Sequence, residues 1–334
     1  MESPRCSYCG GPLEVTPDSV VAVCRYCGRP NFLLGNPAEV LAVPTLSSSE
    51  IVKKAVERTK KDLNLRWRMS AINFTSPDLY YLPFYFVDVR LNADYRATVV
   101  VTYTKTVYVR GQPRTQVVTK TVKVAGRVSL SDVVAVLARR APWGLSADAL
   151  AKHFFDTAPE PKPLTDVAAQ GTGTFLAAEI TPERAKAKAV RSLIPRLLTR
   201  VEQDAAARAR EAVGVLTATA SVRDKTVDYE VARLEASRLT YLPLWVMTYL
   251  FNGSHYHYYV AGWDGKVVVA EEPAFAEHRA ASLLGAVAAG GTLGGLGSAL
   301  LPADFFTSTV ALTDGAVLSY LAAGGLLRSR RVEK

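Results

Sequence analysis

The chain has 334 residues, 49% of them hydrophobic and 21% charged, the proportions of a folded protein with material for two or three cores rather than of a disordered tail. Lysine and arginine exceed aspartate and glutamate to leave a net charge of +9, which suits an anionic partner, either nucleic acid or the cytoplasmic face of a membrane. Only six asparagines and four glutamines occur, a depletion of thermolabile side chains typical of thermophilic proteins. Behind Met1 there is no basic start followed by an apolar segment, so no secretory leader is expected and the amino-terminal part is expected in the cytosol.

All four cysteines lie at the start, as Cys6-Ser7-Tyr8-Cys9-Gly10 and Cys24-Arg25-Tyr26-Cys27-Gly28. Two such turns at the tips of a β-ribbon deliver four thiolates to one tetrahedral zinc ion. Gly10 and Gly28 permit the left-handed turn that aims backbone amides at the sulfurs. Leu13–Val15 and Ser19–Val23 read as the strands between the knuckles, and the expected role is structural, since a closed four-thiolate shell leaves no open coordination position. These residues resemble the zinc-ribbon superfamily over residues 1–35. The resemblance implies Cys6, Cys9, Cys24 and Cys27 as metal ligands and a module that contacts proteins or nucleic acids.

Residues 36–44 read as an extended linker. Ser47 with Glu50 makes a capping box for a helix to about Asp62, with Ile51, Val52, Ala55, Val56 and Thr59 inward and a basic outer face. Alternation over Leu63–Phe74 predicts a half-buried strand carrying Trp67. Tyr80–Val87 is the next strand, Asn92-Ala93-Asp94 a turn, and Tyr95–Val101 the return. Thr98–Val109 and Thr115–Val128 predict a ribbon bearing Lys105, Arg110, Arg114, Lys120, Lys123 and Arg127, either a charged solvent face that guards an edge or a surface for phosphates. Helices are expected over 129–140 and 146–155, completing a first α+β domain at 45–157.

After prolines 159, 161 and 163 the pattern repeats as a second α+β domain at 170–275. It holds a strand near Phe175–Ile180, a long helix opened by Thr181-Pro182-Glu183 and kinked or divided at Pro195, and a strand at Thr226–Leu234. Tyr241-Leu242-Pro243 then matches Tyr81-Leu82-Pro83, and Asn252 at its turn matches Asn92.

Ser282–Leu301 carries no charge, and Val310–Leu327 carries only Asp314. A bilayer core of roughly 30 Å takes about 20 residues of helix, so residues 280–328 predict a transmembrane hairpin, the alternative being a Gly/Ala-rich hairpin inside a soluble core. His278, Arg279, Arg328, Arg330 and Arg331 flank the runs while the loop 302–306 has no lysine or arginine, which places both ends in the cytoplasm. Gly290, Gly291, Gly294 and Gly295 form overlapping Gly-x-x-x-Gly pairs, a surface for homo-oligomers in lipid. Asp314 suits an outer end or a cap. The strand-turn pattern, with Trp263-Asp264-Gly265-Lys266 and the apolar tail, resembles a group of uncharacterised prokaryotic zinc-ribbon membrane proteins, archaeal in type, from which no activity carries over.

Catalytic signals are sparse. His255 and His257 share one side of a strand and could share a metal, but no local carboxylate or cysteine completes a shell, so an ordinary sheet position is the better reading. His153 and His278 stand alone, and no nucleotide loop or nucleophile elbow is present. The sequence therefore predicts no enzyme but an α+β scaffold or adaptor at the cell membrane, bound to lipid through its hairpin and to a protein partner through its ribbon. The alternative is a soluble nucleic-acid-binding protein.

Overall fold

In the computed structural model the described residues are 4–16, 18–33, 39–62, 65–109, 112–140, 146–169, 173–273 and 330–333. The expected membrane hairpin, with Asp314, His278 and the glycine pairs, lies outside the described residues, and among these no helix is long and apolar enough to cross a membrane. The chain is α+β with a mostly sheet body.

Strands β1 (Val21–Val23), β2 (Pro30–Phe32) and β3 (Leu41–Ala42) lead to helix α1 (Ser48–Lys61). The capping box forms as expected: Ser47 Oγ accepts from the Glu50 amide, and the Glu50 carboxylate accepts from the Ser47 amide at 3.0 Å. Ile51, Ala55 and Thr59 are its buried stripe, with the Thr59 hydroxyl satisfied by the Ala55 carbonyl at 2.9 Å. The half-buried strand expected over 63–74 is instead a 3₁₀ helix, Arg66–Ala71, followed by the short β4 (Asn73–Phe74). Asp62 Oδ1 accepts from the Leu65 amide and turns the chain. Leu65 is swallowed, Trp67 is left 77% exposed, and the Arg66 guanidinium covers its ring at 4.8 Å.

Two very long strands follow, β5 (Asp78–Val109) and β6 (Gln112–Leu137), paired antiparallel from Phe84↔Leu137 to Val109↔Gln112. This overturns two expectations. Asn92 sits in mid-strand rather than a turn, because its side chain donates to Glu230 and accepts from Ser129 across neighbouring strands, leaving it no need to fold back on its own backbone. Residues 129–137, expected as helix, continue the strand. Ser129 is tied to Asn92 and Asp132 to Arg196, and the β-branched Val133, Val134 and Val136 favour a pleated surface.

The remaining elements are α2 (Ala147–Thr157), β7 (Lys162–Pro163), α3 (Leu164–Ala168), β8 (Thr174–Phe175), α4 (Pro182–Val213), β9 (Thr219–Ala236), β10 (Thr240–Phe251), β11 (Ser254–Ala261), β12 (Val267–Pro273) and β13 (Arg330–Glu333). Helix α4 opens on a proline as expected but is not divided at Pro195. Both Tyr-Leu-Pro stretches enter strands, β5 and β10. Only the second turns at its asparagine, where Asn252 and Gly253, both at positive φ, close the Phe251↔Ser254 hairpin. Positive φ at both central positions matches the right-handed twist of the flanking strands.

The chain forms two compact units, each drawn from separate stretches. The first comprises Met1–Pro44, Tyr81–Ala151 and Pro159–Leu242. Its core is α4 laid across β6 and β9, through a stripe at every fourth residue: Ala185, Ala189, Leu193, Leu197, Val201, Ala205 and Ala209 are all buried. The alanines at both ends let helix and sheet approach closely. Strand β9 pairs with β5 on the side away from β6, from Val87↔Ala236 to Thr102↔Thr219. The helix is further locked by Tyr95, whose phenol donates to Asp204 at 2.5 Å, while Arg208 Nε donates to the same carboxylate oxygen at 2.7 Å. Gly126 beneath them leaves the necessary room, since a Cβ there would lie 2.8 Å from both the Tyr95 hydroxyl and Arg208 Nε.

The second unit comprises Thr45–Tyr80, Lys152–Ala158 and Pro243–Lys334. Strands β10, β11 and β12 form its antiparallel sheet, and α1 packs on β11. Buried Tyr249 and Tyr258, with centroids 5.0 Å apart, fill the centre. Strand β13 closes the edge, pairing with β12 from Ala270↔Glu333 to Pro273↔Arg330.

Candidate metal centre

Each knuckle is a tight turn. The Gly10 amide donates to the Cys6 carbonyl at 2.9 Å, and the Gly28 amide to the Cys24 carbonyl at 2.8 Å. Both glycines have φ near the left-handed region expected of them, +73° and +71°. The turns are tied to each other by β1 and β2, with Val21↔Phe32 and Val23↔Pro30 in register. The expected strand at 13–15 does not form; the partner of Val21–Val23 comes from beyond the second knuckle.

All four cysteine sulfurs lie within 4.8 Å of one another. Cys6 Sγ is 3.7 Å from Cys27 Sγ and Cys9 Sγ is 3.5 Å from Cys24 Sγ. A tetrahedral ion with metal–sulfur bonds of about 2.3 Å requires sulfurs about 3.8 Å apart, so the donor set fits one ion of zinc's size and preference. Among the described residues these four are the one group of three or more Cys, His, Asp or Glu able to hold a metal. Cys6 and Cys24 are buried, while Cys9 and Cys27 face solvent.

The thiols are poised unequally. Burial alone would raise Cys6, but the amides of Cys9 and Tyr8, the Asn31 side chain and the Cys27 thiol outweigh it and hold the group down at about 6. At Cys24 the Cys27 amide outweighs burial and lowers the thiol. At Cys9 the Gly11 amide favours the thiolate, yet the thiols of Cys24, Cys27 and Cys6, together with burial, push it up to about 12. Without metal the cluster shares protons that a bound cation displaces, so binding releases protons and weakens in acid.

Asn31, which motif reading passes over, is the buried support of the site. Its Nδ2 donates to Cys6 Sγ at 3.4 Å and to the Arg29 carbonyl at 3.0 Å, and its Oδ1 accepts from the Ser7 amide at 2.9 Å and the Ser7 hydroxyl at 3.0 Å. One side chain thus joins both knuckles and orients a ligand sulfur. Its signal in the sequence is faint: a lone asparagine four residues after Cys27, on a strand whose pairing places it opposite Ala22.

The ribbon is laddered into the first unit. The Val20 amide donates to the Ala178 carbonyl at 2.8 Å, and the Ala178 amide to the Val21 carbonyl at 3.0 Å. Asp18 receives Arg140 at 2.8 Å and Arg184 at 2.7 Å. Its outer surface shows Tyr8, 57% exposed with Arg29 stacked 4.6 Å above the ring, and Tyr26, 67% exposed.

The histidines go elsewhere. His257 Nδ1 lies 2.9 Å from Glu271 Oε2, fourteen residues on in the neighbouring strand β12, and His255 is exposed. His153 is buried, with Nε2 2.7 Å from Asp264 Oδ2 and its ring stacked on Trp263 at 5.4 Å. His257 lies on β11 and His153 on α2, each with one ring nitrogen paired to a carboxylate. No protein family, curated protein or solved structure matches the chain.

Proposed function

We propose that this protein is a non-catalytic membrane-anchored scaffold, with a structural zinc ion on Cys6, Cys9, Cys24 and Cys27 and with the ribbon as its contact module for a protein partner. The observation that carries the anchoring is the register of the last strand. Pro273 and Arg330 pair with each other at the edge of the second unit's sheet, so the intervening stretch with both apolar runs leaves and returns at a single point. A pair of spans needs such an arrangement, with both ends on one side of the bilayer. The charge pattern supports the same topology, with arginines after the second run and none between the runs. A zinc ion in a closed four-thiolate shell supplies cross-linking and folding energy rather than chemistry. The exposed Tyr8, Tyr26 and Arg29 supply the residue types that favour interfaces.

Carbonate extraction of membranes, with reporter tags at the loop 302–306 and at the carboxyl terminus, tests the reading. Retention in the pellet, with only the loop tag accessible from outside, is the expected result. Recovery in the wash, or tags on opposite sides, removes it.

A further inference from the structure

A cavity of about 330 Å³ opens in the first unit beside the start of α4, at the small end of ligand sites, which run from about 300 to 1,000 Å³. Buried Val20, Val40 and Leu239 give it apolar walls. Tyr85, only 2% exposed, also lines it. The charged residues around it are half-buried Lys186 and exposed Arg238 and Glu39.

The polar groups of this wall are unequally satisfied. The Ser237 hydroxyl donates to the Arg238 carbonyl at 2.9 Å and accepts from the Phe86 amide at 3.0 Å. Elsewhere the phenols of Tyr95, Tyr241 and Tyr249 donate to Asp204, to the Leu176 carbonyl and to the Glu271 carbonyl. The Tyr85 hydroxyl has no such partner among the described residues, and burial, which pushes it up to about 12, keeps it a donor at neutral pH. Buried polar groups are nearly always satisfied, so a hydroxyl that borders a cavity without a partner points to an occupant. Tyr81 is also buried without a partner, but it is stacked on Phe175 at 4.4 Å and forms no part of this wall.

Charge and shape narrow the occupant. Arg238 has no ionic partner among the described residues. Lys186 holds Glu183 at 2.9 Å, but Glu183 is 78% exposed, and such a pair is easily exchanged. Two cations against Glu39 leave one net positive charge, and Pro182, the first residue of α4, brings the positive end of the helix dipole to the same wall. A neutral molecule leaves Arg238 unused, and a dianion leaves a charge uncompensated beside Glu39. Water satisfies Tyr85 but leaves the faces of Val20, Val40 and Leu239 wet.

We propose that this cavity binds a small organic monocarboxylate, its apolar body on Val20, Val40 and Leu239, its charge toward Arg238 and Lys186, and one oxygen accepting from the Tyr85 hydroxyl. The site goes beyond the scaffold reading and does not depend on it, because it uses neither the outer surface of the ribbon nor the apolar insert.

The test is isothermal titration calorimetry on the full-length protein, in lipid nanodiscs with empty discs as the blank if it is membrane-integral and in buffer if it is not. The probes are hexanoate, benzoate, phenylacetate and cyclohexanecarboxylate, each beside its neutral amide. At least one acid is expected to saturate a single site, with its amide about tenfold weaker for want of the charged contact. Arg238→Gln is expected to weaken that acid about fivefold and to leave the amide unchanged. Tyr85→Phe is expected to weaken it about tenfold while the ligand-free protein melts at the same temperature or higher, since the hydroxyl removed has no partner to lose. A lower melting temperature for ligand-free Tyr85→Phe makes that hydroxyl a structural group and overturns the proposal. So does the absence of saturable binding by any probe, equal binding of acid and amide, or binding that neither variant changes. A cooperative melt shows that each variant is folded.

Discussion

Replacing Asn31 by leucine tests how the metal site is built. The side chain keeps its volume but loses the 3.4 Å donation to Cys6 Sγ, the 3.0 Å donation to the Arg29 carbonyl and the acceptor for Ser7. Removing a group that orients a metal ligand costs about 10- to 100-fold in affinity, or about 1.4–2.8 kcal/mol. The Ser7 amide also loses its acceptor, while the Arg29 carbonyl keeps the Cys24 amide at 3.0 Å; Ser7 is exposed, so this loss is held to about 0.5–1.5 kcal/mol, the net worth of one hydrogen bond. That second loss falls on the fold whether or not metal is present. Competition with a chromophoric zinc chelator separates the two, when read beside thermal melts with and without the ion. Asn31→Leu is expected to weaken binding at least tenfold, and Asn31→Asp, which keeps the acceptor but cannot donate to sulfur, to weaken it as well. An affinity within twofold of the native protein for both variants would refute the account, leaving Asn31 a space-filler.

Further predictions concern the body. Gly126→Ala places a Cβ 2.8 Å from the Tyr95 hydroxyl and Arg208 Nε and should cost about 1–3 kcal/mol by overpacking; a denaturation midpoint equal to the native one would contradict the lock. Burial raises the Asp204 carboxyl, but the Tyr95 and Arg208 hydrogen bonds outweigh it and leave it below the ordinary range. Its folded-state value is thus depressed, so its contribution is present above the unfolded value of about 3.9 and lost as pH falls through the folded value. The melting difference between native protein and Asp204→Asn should therefore be constant from neutral pH to about 5 and shrink in stronger acid; a difference that grows in acid would reverse the sign. Ser47→Ala removes the acceptor for the Glu50 amide and should cost about 1 kcal/mol, measured by denaturation. After chelation the ultraviolet absorbance of thiolate should begin to rise at near-neutral pH because Cys6 is held at about 6. A rise confined to pH above about 8, the free-thiol range, would count against that ordering.

Much of the candidate site was legible because its determinants are local. Two cysteine pairs each followed by glycine, a serine three residues before a glutamate, and Asn252-Gly253 between strands all specify their backbone within a few residues. The failures share the opposite cause. Asn92 reads as a turn residue in isolation and is a strand residue because Glu230, 138 positions away, receives its amide. Asp132 reads as a helix start and is held in a strand by Arg196, 64 positions away. Trp67 fits an alternating pattern that the Asp62 cap interrupts. Asn31 and the Tyr95–Asp204 bond escaped notice for the same reason: each bridges elements that only the pairing of strands brings together.

The Pro273↔Arg330 pairing sets the two ends of the intervening stretch side by side. A chain that departs and re-enters beside itself can be cut there and rejoined by a short turn without disturbing the strand order of the sheet. Lineages or engineers could therefore lengthen, swap or shorten the greasy insert while β12 and β13 keep their register.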